Sequence, residues 1–274
     1  MSISTSFLKA IVVVAVLIPP GKALAQRTDS DFLSDCRNDD GDSYGRREVA
    51  CEVTSTGARN PSQNITMEGI RNGGVDVTGW DRDSIAIRTR IRVTARSQSE
   101  ARSIASQIRT TIRGGDVIVE GPRQMDDAQW TASLIAMVPK RSNLRLETRN
   151  GPVTVREVRG DLDAVTSNGP LGLYDLAGSV RARTTNGPLT ISLTGNKWDG
   201  TGLEARTTNG PLTISVPEGY NAHLEAGTTN GPISLGFPIT VVGRITRDIS
   251  TDLGSGGVTI RATTTNGPLT IRRR

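Results

Sequence analysis

From residue 144 onward, apolar and polar positions alternate in short runs on either side of a recurring tripeptide. This is Asn-Gly-Pro, starting at Asn150, Asn168, Asn186, Asn209, Asn230 and Asn266. Six residues before the Asn stand Leu144, Leu162, Val180, Leu203, Leu224 and Ile260. Four before it stand Leu146, Ala164, Ala182, Ala205, Ala226 and Ala262, and two before it the residue is always Thr. Apolar residues return three and five positions after it, as in Leu189 and Ile191 or Leu212 and Ile214. The intervening positions are polar or charged; one column runs Arg145, Asp163, Arg181, Glu204, Glu225, Arg261. A period of two is the strand period. Each repeat is therefore two short, half-buried strands joined at Asn-Gly-Pro. The copies are 18, 18, 23, 21 and 36 residues apart, and self-similarity at a short period marks a repeat architecture.

Asn-Gly between alternating strands is a strong hairpin signal. Here Pro opposes it. In a two-residue hairpin the fourth residue donates its N–H back to the first, and Pro has none. A corner between strands needs no such bond. The sequence thus predicts an all-β, parallel β-solenoid (a β-helix or β-roll) with coils of about 18 residues. The six Asn side chains would stack into an amide ladder, the Thr hydroxyls would link between coils, and the Ala column implies a thin interior. A three-sided coil of hexapeptides fits less well, because Leu162, Asn168 and Tyr174 break its six-residue period. The longer steps are corner insertions, one glycine-rich (Gly195 to Gly202) and one at Pro217 to Asn221; the longest includes Ile239, Val241 and Ile245 as strand positions.

Upstream, Asn72-Gly73-Gly74 with Val75 and Val77 is a weaker copy, and Ile85, Ile87, Ile91 and Val93 continue as strand. The period then changes. Ser97 and Glu100 form a capping box, and Ala101, Ile104, Ala105 and Ile108 follow at helical spacing, predicting one amphipathic helix over 97–109. Val117 to Val119 and Leu134 to Val138 return to strand. At the start, Lys9, the apolar run Ala10 to Ile18 and Ala23-Leu24-Ala25 have the form of a signal peptide cleaved after Ala25. That run is too short to span a bilayer. The expected divisions are 1–25, signal peptide; 26–61, a Cys-linked segment; 62–143, an N-terminal part of the solenoid carrying the helix; and 144–274, the repeats.

An exported chain meets an oxidising compartment, so its two cysteines, Cys36 and Cys51, are expected to pair. The acidic run Asn38 to Asp42 lies in the loop they close, but no bidentate Glu follows where a calcium loop needs one. No metal and no cofactor are expected. The formal charge is +5, falling to +3 once Lys9 and Lys22 leave with the signal peptide. Aromatics make up 3% and the arginines are spread along the chain, unlike a nucleic-acid footprint of clustered basic residues and stacking rings.

Chemistry is hard to place. His223 is the single histidine, too little for a metal site or a His-based triad. Secreted lyases and glycosidases need convergent carboxylates; Asp161, Asp163 and Glu204 would matter only if a cleft gathered them. Alternating charges in their column are explained by cross-strand pairing. Trp198, in the glycine-rich insertion, is a candidate sugar platform with Arg206 nearby; the competing reading folds its indole back over the apolar core.

The order of features carries a resemblance: the Cys-bearing segment, Asn-Gly-Gly-Val-Asp-Val-Thr-Gly-Trp-Asp (Asn72 to Asp81), the Ala/Ser helix, the Thr-Thr-Asn-Gly-Pro-Leu repeats and Phe237-Pro238-Ile239-Thr240-Val241. It resembles the bacterial putative-adhesin family of β-strand-repeat envelope proteins, a domain of unknown function. The resemblance implies an exported, non-enzymatic interaction scaffold in the periplasm or at the cell surface. An envelope glycan or protein is the expected partner. Some members of that family serve envelope-stress systems, which makes a regulatory or sensor role the alternative; a polysaccharide-active enzyme ranks below it.

Overall fold

The computed structural model of the chain describes residues 28–38, 48–59, 61–123, 127–236 and 247–274. The signal-peptide stretch, most of the acidic run and the strand positions at 239, 241 and 245 lie outside them. The N-terminal part contains α1 (Asp29–Asn38), β1 (Glu48–Arg59), β2 (Asn64–Asn72), β3 (Val75–Trp80), β4 (Ser84–Ala95), α2 (Gln98–Ala105), β5 (Arg109–Arg113), β6 (Asp116–Glu120) and β7 (Gln129–Pro139). The repeats follow as strand pairs: β8 (Asn143–Asn150) with β9 (Val153–Arg156), β10 (Arg159–Asn168) with β11 (Leu171–Tyr174), and β12 (Ala177–Asn186) with β13 (Leu189–Ser192). Next come β14 (Gly202–Asn209) with β15 (Leu212–Val216) and β16 (Ala222–Asn230) with β17 (Ile233–Leu235). The chain then forms β18 (Asp248–Leu253) and a last pair, β19 (Thr259–Asn266) with β20 (Leu269–Arg273).

These strands build two ten-stranded sheets. Sheet A runs β1-β4-β7-β3-β9-β11-β13-β15-β20-β17, and sheet B runs β18-β16-β19-β14-β12-β10-β8-β2-β6-β5. The all-β expectation stands, but the parallel β-solenoid does not. Both sheets are mixed: β1–β4, β4–β7, β5–β6 and β16–β18 pair antiparallel. Strand order also departs from chain order. A solenoid adds each coil beyond the one before it, whereas β19 sits between β14 and β16 and β20 between β15 and β17. The outward charges give a physical reason. In chain order Glu204 and Glu225 would be neighbours; with β19 inserted, the column reads Arg145, Asp163, Arg181, Glu204, Arg261, Glu225 and alternates throughout. Unlike charges opposite one another stabilise neighbouring strands and like charges do the reverse.

The apolar columns from both sheets meet in one core, in which Leu146, Ala164, Leu171, Leu189, Ala205, Leu212 and Ile214 are at most 1% exposed. A second cluster seats α2 against β1 and β4 through Ala101, Ile104 and Ala105. Ser97 caps that helix, its hydroxyl accepting the Glu100 N–H at 3.3 Å. The Glu100 carboxylate accepts from the Arg96 N–H. The helix is shorter than its apolar spacing suggests. It ends at Ala105 with Ser106 as C-cap, and Ile108 packs beside it as the chain turns into β5. The Cys-linked segment contains a second helix, α1, which the sequence reading did not include. Asp29 of that helix takes hydrogen bonds from Arg88 and Arg90 of β4, and Cys36 forms a disulfide with Cys51 of β1.

At each Asn-Gly-Pro the chain leaves sheet B and enters sheet A, and the three residues divide the bonding between layers. Gly169 N–H donates to Asn186 O at 2.9 Å, and Leu171 N–H, just past Pro170, donates to Pro188 O at 2.9 Å. Pro contributes only its carbonyl, so its missing N–H costs nothing. The Thr hydroxyls do not bond one another. Thr184 Oγ1 donates to Gly169 O at 3.0 Å, and Thr166, Thr207, Thr228 and Thr264 each bond a glycine carbonyl of a neighbouring layer in the same way. That carbonyl also explains the Gly, because a Cβ on Gly187 would press into Gly169.

Candidate functional site

The Asn side chains form a continuous exposed ladder along this edge. It runs from Asn72 through Asn150, Asn168, Asn186, Asn209 and Asn266 to Asn230, with Nδ2 to Oδ1 distances of 2.7–2.9 Å. Each internal amide spends one N–H and its carbonyl on its neighbours. Asn72, from the weaker upstream copy, is the additional rung.

Trp198 and Arg206 do not make a common surface. Trp198 is 5% exposed within the core, and its indole N–H donates to Gly178 O at 3.0 Å. The corner between β13 and β14 folds inward because this large ring has apolar neighbours to cover and a carbonyl to satisfy. No face of it is left for a sugar. Arg206 is exposed on the outer face of sheet B, in register with Arg183 on one side and Thr263 on the other. The carboxylates weighed for sugar chemistry are also apart from one another. Asp163 and Glu204 lie on the exposed face of sheet B with Arg181 between them in register, while Asp161 is an exposed residue beside Asn143.

The outer face of sheet A is different in chemistry. Two rows run across β13, β15 and β20: Thr190, Thr213 and Thr270 in one, Ser192, Ser215 and Arg272 in the other. Pleating sends these positions to the outer side, because Leu189, Ile191, Leu212, Ile214, Leu269 and Ile271 between them face the core, although Ser215 is itself covered there, 6% exposed. Neither row contains a carboxylate. Arg272 Nε donates to Ser215 Oγ at 3.0 Å, and the guanidinium of Arg274 reaches Ser192 Oγ at 3.5 Å. Both arginines are exposed and face hydroxyls rather than counter-ions. Towards β11 the rows change. Tyr174 lies back over Gly172, the Arg156 guanidinium stands 5.2 Å from its ring centroid, and Arg156 is neutralised by Asp76 at 2.6 Å. Among the described residues of this face, the arginines that meet no carboxylate are Arg272 and Arg274, at the β13–β15–β20 part. The repeated Thr-x-Ser in Thr190 to Ser192 and Thr213 to Ser215 was legible; that Arg272 falls in the same row depends on the strand order.

The opposite edge carries an open cleft of about 560 Å³ lined by Trp80, Asp81, Arg82, Lys140, Arg141 and Arg159. Most of its charges are paired. Lys140 Nζ bonds Asp81 at 2.8 Å, which together with Asp81 and Glu157 charge holds its ammonium above the usual lysine range. Arg159 meets Asp199 at 3.2 Å, and Arg82 stacks over Trp80 at 4.9 Å. A third polar group sits at the end of sheet B: His223 lies between Asp252 and Ser250 at hydrogen-bond distance. Sequence reasoning set His223 aside for want of partners. The outward alternation Asp248, Ser250, Asp252 was visible, but the antiparallel pairing that brings it to His223 was not.

Among the described residues no helix is long and apolar enough to cross a membrane, and none group as a metal site. No family model matches the chain, and no curated protein does. Among solved structures, a putative cell adhesion protein from Clostridium sporogenes is similar over 83% of this chain and 100% of its own, at 9% identity and a TM-score of 0.45. A putative adhesin from Bacteroides fragilis covers 81% of this chain and 97% of its own, at 10% identity and 0.36. A putative lipid binding protein from Parabacteroides distasonis covers 81% and 96%, at 10% identity and 0.34. Similarity of this degree carries no argument about what this chain binds.

Proposed function

We propose that the chain is an exported, adhesin-like binding protein that holds an anionic envelope glycan on the outer face of sheet A, by recognition alone. The observation that supports this reading is the paired rows Thr190–Thr213–Thr270 and Ser192–Ser215–Arg272, with Arg274 beside them and no carboxylate in either row. The Thr190, Thr213 and Thr270 hydroxyls, in register at the strand spacing, offer donors and acceptors at a regular repeat, which suits a polymer of sugar hydroxyls. Arg272 and Arg274 supply charge-assisted bonds to a sugar carboxylate or sulfate. The flat shape favours an extended ligand over a small molecule, which would need a concave site.

The test is binding of the purified protein to immobilised anionic and neutral polysaccharides, followed by a pull-down from envelope fractions. Anionic polymer should bind more tightly, and binding should weaken as salt screens the charges. Replacing Arg272 and Arg274 together with Glu should abolish it, whereas Arg206→Glu, on the other face, should leave it intact. Equal binding of neutral polymer, or binding that survives the double replacement, would overturn the assignment.

A further inference from the structure

The outer face of sheet B holds a second arrangement, independent of the glycan reading. His223 of β16 and Asp252 of β18 are register partners, and Ser250 is the preceding outward residue of β18. His223 Nδ1 lies 2.7 Å from Asp252 Oδ1, and Nε2 lies 3.2 Å from Ser250 Oγ. A carboxylate only accepts, so Nδ1 carries the proton and Nε2 accepts the seryl O–H. The order is nucleophile, base, orienting carboxylate, at distances suited to proton transfer. Glu225 Oε1 stands 3.8 Å from Nε2, and its other oxygen is bonded by Arg261 Nε at 2.6 Å. Asp252 and Glu225 thus set two carboxylates beside the one imidazole.

The ladder also supplies a donor for the oxyanion. Thr228 N–H donates to Arg247 O, one step beyond the Gly227–Asp248 register pair. Alternation along an antiparallel pair then turns the backbone of Ser250 away from β16. Because β18 ends its sheet among the described residues, the Ser250 N–H points to that sheet edge beside its own Oγ, where an oxyanion would develop. The three side chains lie on an exposed strand face among the described residues, and a small transferred group is the kind that needs no enclosing pocket.

We propose that Ser250 is the nucleophile of a hydrolytic site for small-acyl carboxylic esters such as acetyl esters. Ser250 Oγ attacks the ester carbonyl carbon while its proton passes to His223 Nε2. The tetrahedral adduct collapses with cleavage of the ester C–O bond, and the imidazolium returns the proton to the departing alkoxide, releasing an alcohol. Water, deprotonated by the same nitrogen, then cleaves the acyl-serine to the carboxylic acid and restores Ser250. No oxidation or reduction is involved. Ser250 and His223 are the catalytic residues, and Asp252 is a positioning residue.

The experiment uses the whole chain with p-nitrophenyl acetate, and in parallel an alkyl fluorophosphonate followed by peptide mass mapping. The phosphonate should attach to Ser250. Hydrolysis should run at least about 100-fold faster than with Ser250→Ala or His223→Gln, the lower end of what a positioned base contributes. Asp252→Asn should lower kcat and leave KM unchanged, a split that simple loss of structure would not give. A wild-type rate equal to that of Ser250→Ala, or phosphonate on any other residue, overturns the proposal. The labelling arm needs no variant, so it decides even where Ser250→Ala folds poorly. Polysaccharide binding is measured on the same wild-type preparation, so that failure of the hydrolytic site and failure of the glycan reading are seen separately.

Discussion

Replacing Gly187 with Ala tests how the layers are held together. A Cβ on Gly187 would stand 2.5 Å from the carbonyl carbon of Gly169, closer still to its oxygen, and 3.1 Å from the Pro170 nitrogen. Carbon and carbonyl oxygen approach to about 3.3 Å in the closest favourable contacts, so the layers must part there by roughly 1 Å. All the atoms concerned are backbone and cannot rotate aside. That displacement removes the bond from Thr184 Oγ1 to Gly169 O, the bond from Gly169 N–H to Asn186 O and the bond from Leu171 N–H to Pro188 O. Each is worth about 1 kcal/mol net, and the buried Thr184 hydroxyl, 4% exposed, costs about 1–3 kcal/mol more when orphaned. The expected loss is about 4–6 kcal/mol, or roughly 10–20 °C in melting temperature for a chain of this size. Urea denaturation of Gly187→Ala, beside Thr185→Ala on the exposed side of the same corner, measures it. Asn186→Ala, which removes two exposed ladder bonds, should cost less, about 1–2 kcal/mol. If Gly187→Ala stays within about 1 kcal/mol of the parent, the layers do not depend on that close approach and the argument fails.

Other outcomes follow from the same geometry. Reducing the Cys36–Cys51 disulfide, which closes a loop of 15 residues' separation, should lower unfolding free energy by about 3 kcal/mol; an unchanged urea midpoint under reductant would contradict this. Trp198→Ala should cost about 3–5 kcal/mol, as expected for emptying a core site, with no change in glycan binding. Arg261→Glu would place three carboxylates side by side at positions 204, 261 and 225. It should destabilise by about 1 kcal/mol at low salt and recover in high salt, and persistence of the loss at high salt would show that charge alternation is not the cause.

Much of the repeat region was legible because burial there follows a period of two. The positions at Leu162, Ala164, Thr166, Leu171 and Leu173, and their equivalents, face inward where alternation puts them. The refusal of Pro170 to close a hairpin was equally local. Strand order was not legible from the apolar columns, since Ala205, Ala226 and Ala262 are interchangeable as neighbours. The charges did hold that information. Glu204 beside Glu225 was a conflict in chain order that only an intervening Arg261 relieves. The antiparallel β1–β4–β7 assembly depends on pairings between distant segments, which no local pattern reports. The same applies to the site residues. Trp198 lies in a loop by its sequence, yet its side chain is claimed by the core, and His223 looked solitary because its partners arrive from another strand.

The place of β19 and β20 within the sheets sets an order of events. A chain laid down from its N-terminal side can pair β8 through β15 as each strand arrives, but β16 and β17 then have no neighbour on that side until residues 259 to 273 exist. A gap one strand wide, about 4.8 Å per sheet, must wait for the last repeat. During that wait four strand edges are open, the condition in which chains pair wrongly with one another. Shortening the protein by its final repeat would therefore not trim an end. It would leave β14 and β16, and β15 and β17, with no strand between them, so that residues 259 to 273 decide whether β16, β17 and β18 are joined to the rest of the two sheets.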